Sequence, residues 1–449
     1  MKPVFQRLLS LAAIAAVLVA PWPARASVAG DAVRTDVDGI DLVVIRTGVQ
    51  DVVTVVGSLR AGDDRSPADN AAIATLTGEM LDKGTTRLGK YAIAEQLGSV
   101  GARIGFAVGT TSLSFSGRSL RKDMPLVMTM LAQQLREPAF PADEFAKLKK
   151  QVEGSMREQL QDTEFRADEA FSRAVFPAGH PNHSPAPERF LADVDRATLD
   201  ELRAFHATYY GPTGMRIVVV GDVDPAAVTA EVRKAFGGWR GGSLPPPAKA
   251  APALGRAEAI AVDMPDKTSV TVLIGQPTGL RYSDPDTLPL ALGTRIFGSG
   301  FTGRLMSNVR DKEGLTYGIG AGLSDDIYAD GAWQIYATFA PALLDRGLAS
   351  TRRQLALWHD KGVTADELAR AKTRVAGSYL VGLATTSGLA GTVLRTLDAG
   401  LPLEYVDQYP DRVAALTLEQ VNDAIRRHLD PSRMVTVEAG TLTQQRAAN

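Results

Sequence analysis

The sequence predicts an α+β fold built from two homologous domains, each a largely antiparallel sheet with helices on one face. Three observations support this fold class. Hairpin-like strand pairs precede long helical stretches, short landmarks recur after 218 or 219 residues, and a stretch rich in proline and glycine lies near the middle of the chain. Strand pairs followed by helices are typical of α+β domains, and recurring landmarks indicate a duplication.

The elements of the first half can be predicted in order. Apolar runs indicate strands at 42–47, 52–60, 102–106 and 111–116. Helical stretches are predicted from 67 onward and at 88–98, 125–136 and 143–171. Pro67 suits the first helical position, where no backbone donor is needed. Thr198 and Glu201 can form a capping box that begins a helix ending near Tyr209.

The second half repeats landmarks of the first in the same order. Thr, Pro, Met and Gly at 198, 212, 215 and 221 recur after 219 residues, at 417, 431, 434 and 440. Near the start of each half, 55–57 corresponds to 273–275 after 218 residues. Chance similarity of common turn residues is the alternative, but the shared order favours duplication.

We therefore divide the chain into a signal peptide at 1–26, a first domain at 27–240, a linker at 241–256 and a second domain at 257–449. Each domain has a length usual for a single domain. The linker is rich in Gly, Pro and Ala, a composition that argues against both helix and central strand.

The first residues have the features of a secretory signal. Lys2 and Arg7 precede an apolar run at 8–20, and Ala24-Arg25-Ala26 follows. We expect cleavage after Ala26, which removes three cations and changes the formal net charge from −2 to −5. An uncleaved anchor is the alternative, but the run is too short for a stable span. The predicted location is the periplasm, with no membrane anchor after cleavage.

The composition excludes several classes of function. The 49 basic and 51 acidic side chains leave no cationic excess for binding a nucleic-acid backbone. The chain has no cysteine, so disulfides, thiol nucleophiles and thiolate metal sites are excluded. Five histidines also limit zinc chemistry, since a site without thiolates normally needs at least two of them close together.

Several motifs together resemble one family. They are Met-Leu-Asp-Lys-Gly-Thr at 80–85, Glu-Gln-Leu-Gly at 95–98, the segment 210–225, and Gly-Arg-Leu-Met-Ser-Asn-Val-Arg-Asp-Lys-Glu-Gly-Leu-Thr-Tyr at 303–317. The chain resembles the pitrilysin family of zinc peptidases, which includes insulin-degrading enzyme and the mitochondrial processing peptidase. The resemblance covers nearly the whole mature chain and implies a processing-peptidase-like metallohydrolase fold.

The family's zinc motif is degenerate here. Active members carry H-x-x-E-H on the helix before the Met-x-x-Lys-Gly-Thr run, where two histidines hold zinc and the glutamate is the general base. In this chain the ligand positions are Thr75 and Glu79, and the base position is Gly78. The family's third ligand position falls at 155–156, a Ser-Met pair. Glu153 is near, but a lone carboxylate is better interpreted as part of a solvated helix face.

Two other features could indicate a binding site, but a structural role explains each of them better. His180 and His183 flank Pro181 in a turn, so a structural loop is favoured over a metal-binding pair, and the other three histidines do not cluster in sequence. The glycine-rich stretch at 297–301 lacks the Gly-Lys-Ser/Thr of a phosphate-binding loop. A packing role for its glycines is favoured over substrate binding.

The resemblance assigns a second set of residues to the substrate. In the family, the C-terminal domain supplies an arginine and, seven residues later, a tyrosine that reach the substrate backbone beside the scissile bond. Arg310 and Tyr317 match this pair in spacing and context. The alternative is that Arg310 pairs with Asp311 or Glu313 on a solvated helix end and that Tyr317 belongs to the core.

The sequence therefore predicts a zinc-free subunit of a periplasmic two-chain zinc endopeptidase. The chain itself binds no cofactor, is inactive alone, and supplies Arg310 and Tyr317 as substrate-binding residues to a homologous zinc-bearing partner. Its expected substrates are peptides and not nucleic acids. The alternative function is a catalytically inert peptide-binding or structural homologue. An independent hydrolase has no nucleophile motif to support it.

Overall fold

A computed structural model describes residues 27–324 and 326–442, so the predicted signal peptide lies outside the described residues. The strands are β1 Ala32–Val37, β2 Ile40–Arg46, β3 Val52–Leu59, β4 Arg103–Val108, β5 Leu113–Leu120, β6 Arg216–Gly221, β7 Glu258–Asp263, β8 Val270–Pro277, β9 Thr316–Ser324, β10 Ala332–Phe339 and β11 Val435–Gly440. The α-helices are α1 Val28–Asp31, α2 Ile73–Glu79, α3 Lys90–Ser99, α4 Met124–Arg136, α5 Ala142–Gln159, α6 Thr163–Val175, α7 Pro187–Arg196, α8 Leu199–Tyr209, α9 Pro225–Phe236, α10 Thr287–Gly298, α11 Leu344–Lys361, α12 Ala365–Leu383, α13 Thr386–Asp398, α14 Glu404–Ala415 and α15 Leu418–His428.

The two halves form two sheets with matching strand order. The first sheet runs β1-β2-β6-β3-β5-β4 and the second runs β7-β11-β8-β10-β9. The pairs β2–β6 and β7–β11 are parallel, and the remaining neighbours are antiparallel. Apart from the additional edge strand β1, the sheets have the same topology. The predicted α+β class with two largely antiparallel sheets is therefore confirmed.

Corresponding glycines occupy equivalent places in the two sheets. A Cβ placed on Gly57 would lie 2.4 Å from the carbonyl oxygen of Arg216, and one placed on Gly275 would lie 2.2 Å from that of Trp333. In both strands a neighbouring backbone comes too close for any side chain. The 218-residue displacement thus joins two positions at which a neighbouring strand leaves no space for a side chain, β6 in the first sheet and β10 in the second.

One predicted helix start was wrong. The helix expected from Pro67 begins at Ile73, because the preceding residues form a turn in which Asn70 N–H donates to the Pro67 carbonyl. The Ser66 hydroxyl then accepts from Ala74 N–H at 3.0 Å, which satisfies one of the free donors of the first helical turn. Pro67 therefore belongs to the turn that leads to the helix.

The helical stretch predicted at 143–171 is two helices, α5 and α6. Asp162 interrupts it, because its carboxylate accepts from the backbone N–H groups of Glu164 and Phe165 and begins a new helix. By contrast, the capping box of Thr198 and Glu201 is present as predicted. The equivalent box at Thr417 in the second half is also present.

Each half contributes one helix to the sheet of the other half. One face of the first sheet packs on helices of its own half, while the other face buries Val43 and Val218 against Leu389 and Val393 of α13. Reciprocally, α6 of the first half packs on β8 and β11 of the second sheet. Strands buried on both faces need apolar residues at successive positions, as the continuous run in β2 shows.

The exchanged helices are fixed in the same way. The first residue of α13, Thr386, shares a hydroxyl hydrogen bond of 2.9 Å with Thr54 of β3. The first residue of α6, Thr163, shares one of 2.8 Å with Thr271 of β8. A pair of hydroxyls thus positions each helix N-terminus on the sheet of the opposite half.

A polar cluster closes the contact between the halves at the C-terminus of α13. The Asp398 carboxylate accepts from Ser58 Oγ at 3.0 Å and from Arg216 Nη1 at 2.9 Å. Beside it, the Arg60 guanidinium lies 3.7 Å from the centroid of the Tyr328 ring. Since Asp398 is almost buried, both donors are needed to offset its desolvation.

In the part of the chain that the structure describes, no single helix is long and apolar enough to cross a bilayer. Taken together, α12 and α13 are long and apolar enough for a bilayer span, but the two helices meet at an angle of 111°. The apolar residues of α13 are buried against the first sheet.

Replacing Asp398 should weaken the contact between the halves. We expect Asp398→Ala to lower the free energy of unfolding by about 2 kcal/mol, because it leaves Ser58 and Arg216 without a charged acceptor. Asp200→Ala removes a fully solvated carboxylate and should change it by less than about 0.5 kcal/mol. Urea unfolding followed by circular dichroism measures both values. Equal stability of the two variants would contradict this role of Asp398.

Candidate functional site

Arg310 lies on a short π-helix, Met306–Lys312. The N–H of Glu313 bonds to the carbonyl of Asn308 at 3.0 Å, five residues earlier, and Gly314 ends the helix with φ of 64°. Met306 and Val309 are buried in the core of the second half and anchor the segment. Single π-turns are rare and occur frequently at functional sites.

Tyr317 lies in a β-bulge at the open edge of the second sheet. The register of β9 on β10 passes from Gly318 opposite Thr338 to Thr316 opposite Phe339, so Tyr317 has no partner across the ladder. Its side chain is 88% exposed. Bulges at sheet edges redirect side chains, and this one presents the phenol to solvent. The alternative in which Tyr317 belongs to the core is wrong.

The Arg310 guanidinium lies between two exposed aromatic rings. Its centre is 5.0 Å from the centroid of Tyr317 and 5.2 Å from that of Phe301. The rings hold the cation through their negative faces and leave its N–H groups available. The spacing shared with the family paired Arg310 with Tyr317, whereas the sequence did not predict that Phe301 lies beside Arg310.

Arg310 does not form the ion pair that the structural alternative required. Glu313 instead accepts from Arg353 at 2.7 Å and from Ser350 at 3.0 Å. Between residues 27 and 442, position 325 aside, no carboxylate lies within 4 Å of the Arg310 guanidinium and no ion pair includes Asp311. The arginine is therefore available to a ligand.

A cavity of about 460 Å³ opens beside Tyr317. Its lining includes the apolar residues Leu315, Phe339 and Leu343 together with Ser269 and Tyr317. An extended peptide whose backbone met Arg310 and the Tyr317 hydroxyl would have space here for one apolar side chain.

Arg304, at the start of the same segment, has a structural role. Its guanidinium binds both carboxylate oxygens of Glu367, at 2.7 and 2.6 Å, and donates to the Gly362 carbonyl at 2.9 Å. This hydrogen-bonded pair lowers the pKa of Glu367 to about 2. Glu367 also completes the capping box of α12 with Thr364, so the segment that holds Arg310 is tied to a second helix.

The positions of the family's zinc motif lie together on α2 but carry no metal chemistry. Thr75 donates its hydroxyl to Asp63 at 2.7 Å, and Glu79 is exposed. Gly78 is buried, and a Cβ on it would lie 2.2 Å from a methyl carbon of Val108 on β4. A glutamate at this base position would therefore collide with the edge strand as it stands here.

The position of the third ligand is equally unsuited. Residues 155 and 156 are a serine and a methionine on α5, and the nearby Glu153 pairs with Arg157 one turn later on the partly solvated face. Within residues 27–324 and 326–442, no three His, Asp or Glu side chains group closely enough to hold a metal ion.

The His180 loop ties the two halves together. Nδ1 of His180 accepts from the N–H of Asn182 at 3.1 Å, so Nε2 carries the proton and donates to Asp330 at 3.0 Å. Asp330 also accepts from the N–H of Ala251 in the predicted linker. His183 bonds to the carbonyl of Phe176. These contacts support the structural interpretation of the His pair.

The other three histidines are also bonded within the fold. His206 bonds to the carbonyl of Leu135, His359 to that of Leu429, and His428 to the Asp286 carboxylate. Burial lowers the pKa of His206.

The glycine-rich turn has a packing role at its start. A Cβ on Gly298 would lie 2.3 Å from the backbone nitrogen of Ala321, so α10 meets β9 backbone to backbone. Gly300 has a φ of 66°, in the left-handed region. The turn that follows presents the exposed ring of Phe301 beside Arg310.

The chain is similar in sequence to a known family and to several known proteins. The family described as "Peptidase M16 inactive domain" matches residues 196–375. A Streptomyces coelicolor protein named "Uncharacterized zinc protease SCO5738" is 27% identical over 377 residues, covering 81% of this chain and 79% of the relative. A Helicobacter pylori protein named "Non-peptidase homolog YmxG" is 22% identical over 393 residues, covering 83% and 85%.

Solved structures have the same fold. The peptidase M16 inactive domain from Pseudomonas fluorescens has a TM-score of 0.85 and 25% identity, and the match covers 92% of this chain and 98% of that one. The periplasmic protease PqqL from Escherichia coli has a TM-score of 0.76 and 15% identity, covering 92% of this chain and 46% of the PqqL chain.

The packing of Gly78 can be tested by its effect on stability. We expect Gly78→Ala to lower the free energy of unfolding by about 1–3 kcal/mol because of the contact with Val108. Alanine in an open helix would instead stabilise by up to about 1 kcal/mol, which is the result expected for Gly154→Ala on α5, where nothing lies near the added Cβ. Chemical denaturation measures both variants. Val108→Ala in the Gly78→Ala background should recover part of the loss, and a stabilising Gly78→Ala would contradict the contact.

Proposed function

We propose that this chain, which is similar to M16 peptidases and lacks the zinc ligands of the pitrilysin family, is the zinc-free subunit of a two-chain zinc endopeptidase. The observation that carries this proposal is the pair Arg310 and Tyr317: the tyrosine is exposed, and the half-buried arginine has no carboxylate partner among the described residues. A homologous partner would hold zinc and the general base. This chain would bind the peptide beside the scissile bond.

The chemistry of the pair suits that role. A guanidinium and a phenol are strong hydrogen-bond donors, and both can donate to a peptide carbonyl. Negative charge develops on that oxygen when water attacks, so donors fixed beside it bind the transition state more tightly than the substrate. The aromatic contacts of Arg310 and the bulge at Tyr317 restrict both side chains before substrate arrives.

The open edge of the second sheet supports the binding of a peptide. The open edge of β9 beside Tyr317 leaves backbone groups available to an extended substrate.

The second candidate function is an inert peptide-binding homologue. It is favoured by the motif positions Thr75, Gly78 and Glu79, and it is consistent with the name of the Helicobacter pylori relative. In this case Arg310 and Tyr317 would bind peptides without promoting cleavage. The two candidates differ in what happens when a zinc-bearing homologue is added.

We propose a periplasmic location after cleavage at Ala26. The next residue, Ser27, caps α1, and its hydroxyl together with the N–H groups of Val28 and Ala29 donates to Asp407 on α14. A chain beginning at Ser27 would add a positive α-amino group beside this carboxylate.

The location can be tested by export of the full-length chain. We expect the protein in the periplasmic fraction, with Ser27 as its first residue in N-terminal sequencing. Ala24→Asp together with Ala26→Asp should block processing, because the cleavage site needs small residues. An N-terminus at Met1 in the membrane fraction of the unmodified protein would contradict the proposal.

The subunit role can be tested by mixing purified proteins. The chain alone should cleave no peptide, and cleavage should appear on addition of a zinc-bearing homologue from the same organism. Arg310→Ala should lower kcat of the mixture by about 10²-fold or more, and Tyr317→Phe should act in the same direction, because each removes a donor to the developing oxyanion.

The controls use neighbouring residues of the same type. Lys312→Ala removes a cation from the same π-helix, and Tyr336→Phe removes a phenol from the adjacent strand, so both should retain the rate. Thermal unfolding verifies that each variant is folded. A mixture that keeps full activity when Arg310 and Tyr317 are both replaced would exclude the subunit role.

A further inference from the structure

A second cavity, of about 360 Å³, lies between α10 and α12. It has a polar and cationic lining, which includes Arg295, Ser299, Arg374, Ser378, Tyr379 and Tyr409. No Asp or Glu belongs to this lining. The chain carries slightly more acidic than basic side chains overall, so a cavity with two arginines and no acid is unusual in this protein.

The two arginines lack the carboxylate partners that many arginines of this fold have. Arg374 donates to the hydroxyl of Thr302, and Arg295 forms no ion pair within the described ranges. Neither guanidinium has a carboxylate within 4 Å among those residues. By contrast, Arg304, just before the π-helix, donates to both carboxylate oxygens of Glu367. Two exposed guanidinium groups that border one cavity without a carboxylate partner give it a cationic surface, which favours an anionic ligand.

Hydroxyl groups complete the set of donors. Ser299, directly after the end of α10, and Ser378 on α12 both line the cavity. Burial raises the pKa of Tyr409, so its phenol remains a neutral donor. Tyr379 also lines the cavity, but its hydroxyl is not a donor to a ligand, because it already donates to the carbonyl of Val406 at 2.9 Å. Guanidinium and hydroxyl donors around one small space match the oxygens of a carboxylate.

The cavity and the Arg310 site are linked by the glycine-rich turn. Arg374 holds Thr302, and the adjacent residue Phe301 stacks on Arg310. One peptide could therefore place its backbone near Arg310 and a nearby anionic group between Arg295 and Arg374.

The position of the cavity corresponds to that of the zinc cleft in the first half. Gly78 on α2 and Gly298 on α10 are each the glycine at which the helix meets the edge strand of its own sheet. The opposite wall is α12, which packs on α10 as α5 packs on α2.

We propose that this cavity is a subsite for a carboxylate of the bound peptide, either an acidic side chain or the C-terminus. The proposal rests on the proposed function in that it takes a peptide as the ligand, but it concerns binding and requires no cleavage. The enzyme complex would then prefer substrates with an acidic group a short distance from the scissile bond.

The test measures peptide binding to the mature chain by fluorescence anisotropy. The probes are labelled, amidated peptides in which a single glutamate moves through an otherwise uncharged sequence, with glutamine at that position in the matched peptide. A further pair compares a free C-terminal carboxylate with the amide. We expect about tenfold tighter binding at one glutamate position, or for the free carboxylate, and weakening of this preference by salt.

The double variant Arg295→Gln/Arg374→Gln should lose the preference for the carboxylate and keep the affinity for the uncharged peptide. Arg370→Gln is the matched control, because it removes a solvated cation one turn earlier on α12, where Arg370 pairs with Asp366. Its preference should be unchanged. Equal binding of all peptides to the unmodified chain, or a preference that persists in the double variant, would overturn the proposal.

The two proposals can fail independently. If the mixture with a zinc-bearing homologue cleaves nothing but the Arg-dependent preference is present, the subunit role fails and the subsite stands. If cleavage depends on Arg310 while glutamate and glutamine peptides bind equally, the subsite fails and the subunit role stands.

Discussion

The reciprocal exchange of helices between the two halves is the constraint on which the rest of the structure depends. Each sheet is apolar on both faces, so neither half could leave its second face in water. The buried side chains of α13 on the first sheet contribute on the order of 5 kcal/mol or more, because each fully buried Leu or Val adds about 1.5–3 kcal/mol. The α6 helix gives the second sheet the same cover. The halves are therefore one folding unit in energetic terms, although they arose from a repeated topology.

This mutual cover leaves one part of each sheet free. Strands β4 and β9 form the far edges, away from the strands that receive the exchanged helix most directly. In the first half α2 meets the edge strand where Val108 packs against Gly78 and leaves no space for the family's base. In the second half α10 meets the edge strand at Gly298, and the bulge at Tyr317 presents the phenol to solvent. A chain without the family's zinc ligands in one half can thus carry the proposed substrate-binding residues in the other, because the shared core holds both edges in place.

Much of the fold could be predicted from the sequence, because strand patterns, capping boxes and the 218–219 repeat are local or periodic signals. The errors have local causes. Pro67 suits a helix start or a turn equally well. In the structure it belongs to a turn, and the Ser66 hydroxyl accepts from Ala74 N–H in the first turn of the helix that follows. The division at Asp162 depends on one capping carboxylate inside a helical pattern. The exchange of helices could not be predicted, since a helix with an apolar face does not reveal which sheet it covers.

The candidate site shows the same division between local and spatial information. The spacing of Arg310 and Tyr317 is a sequence signal, whereas Phe301, Arg295 and Arg374 become neighbours only through the fold. Duplication explains why such a cluster can arise. A cleft between two helices that supplies imidazole and carboxylate ligands attracts a cation, and the corresponding cleft supplied with guanidinium groups attracts an anion. The repeated architecture therefore provides two similar clefts, and the charge of the residues that line each one decides whether it suits a metal ion or the substrate.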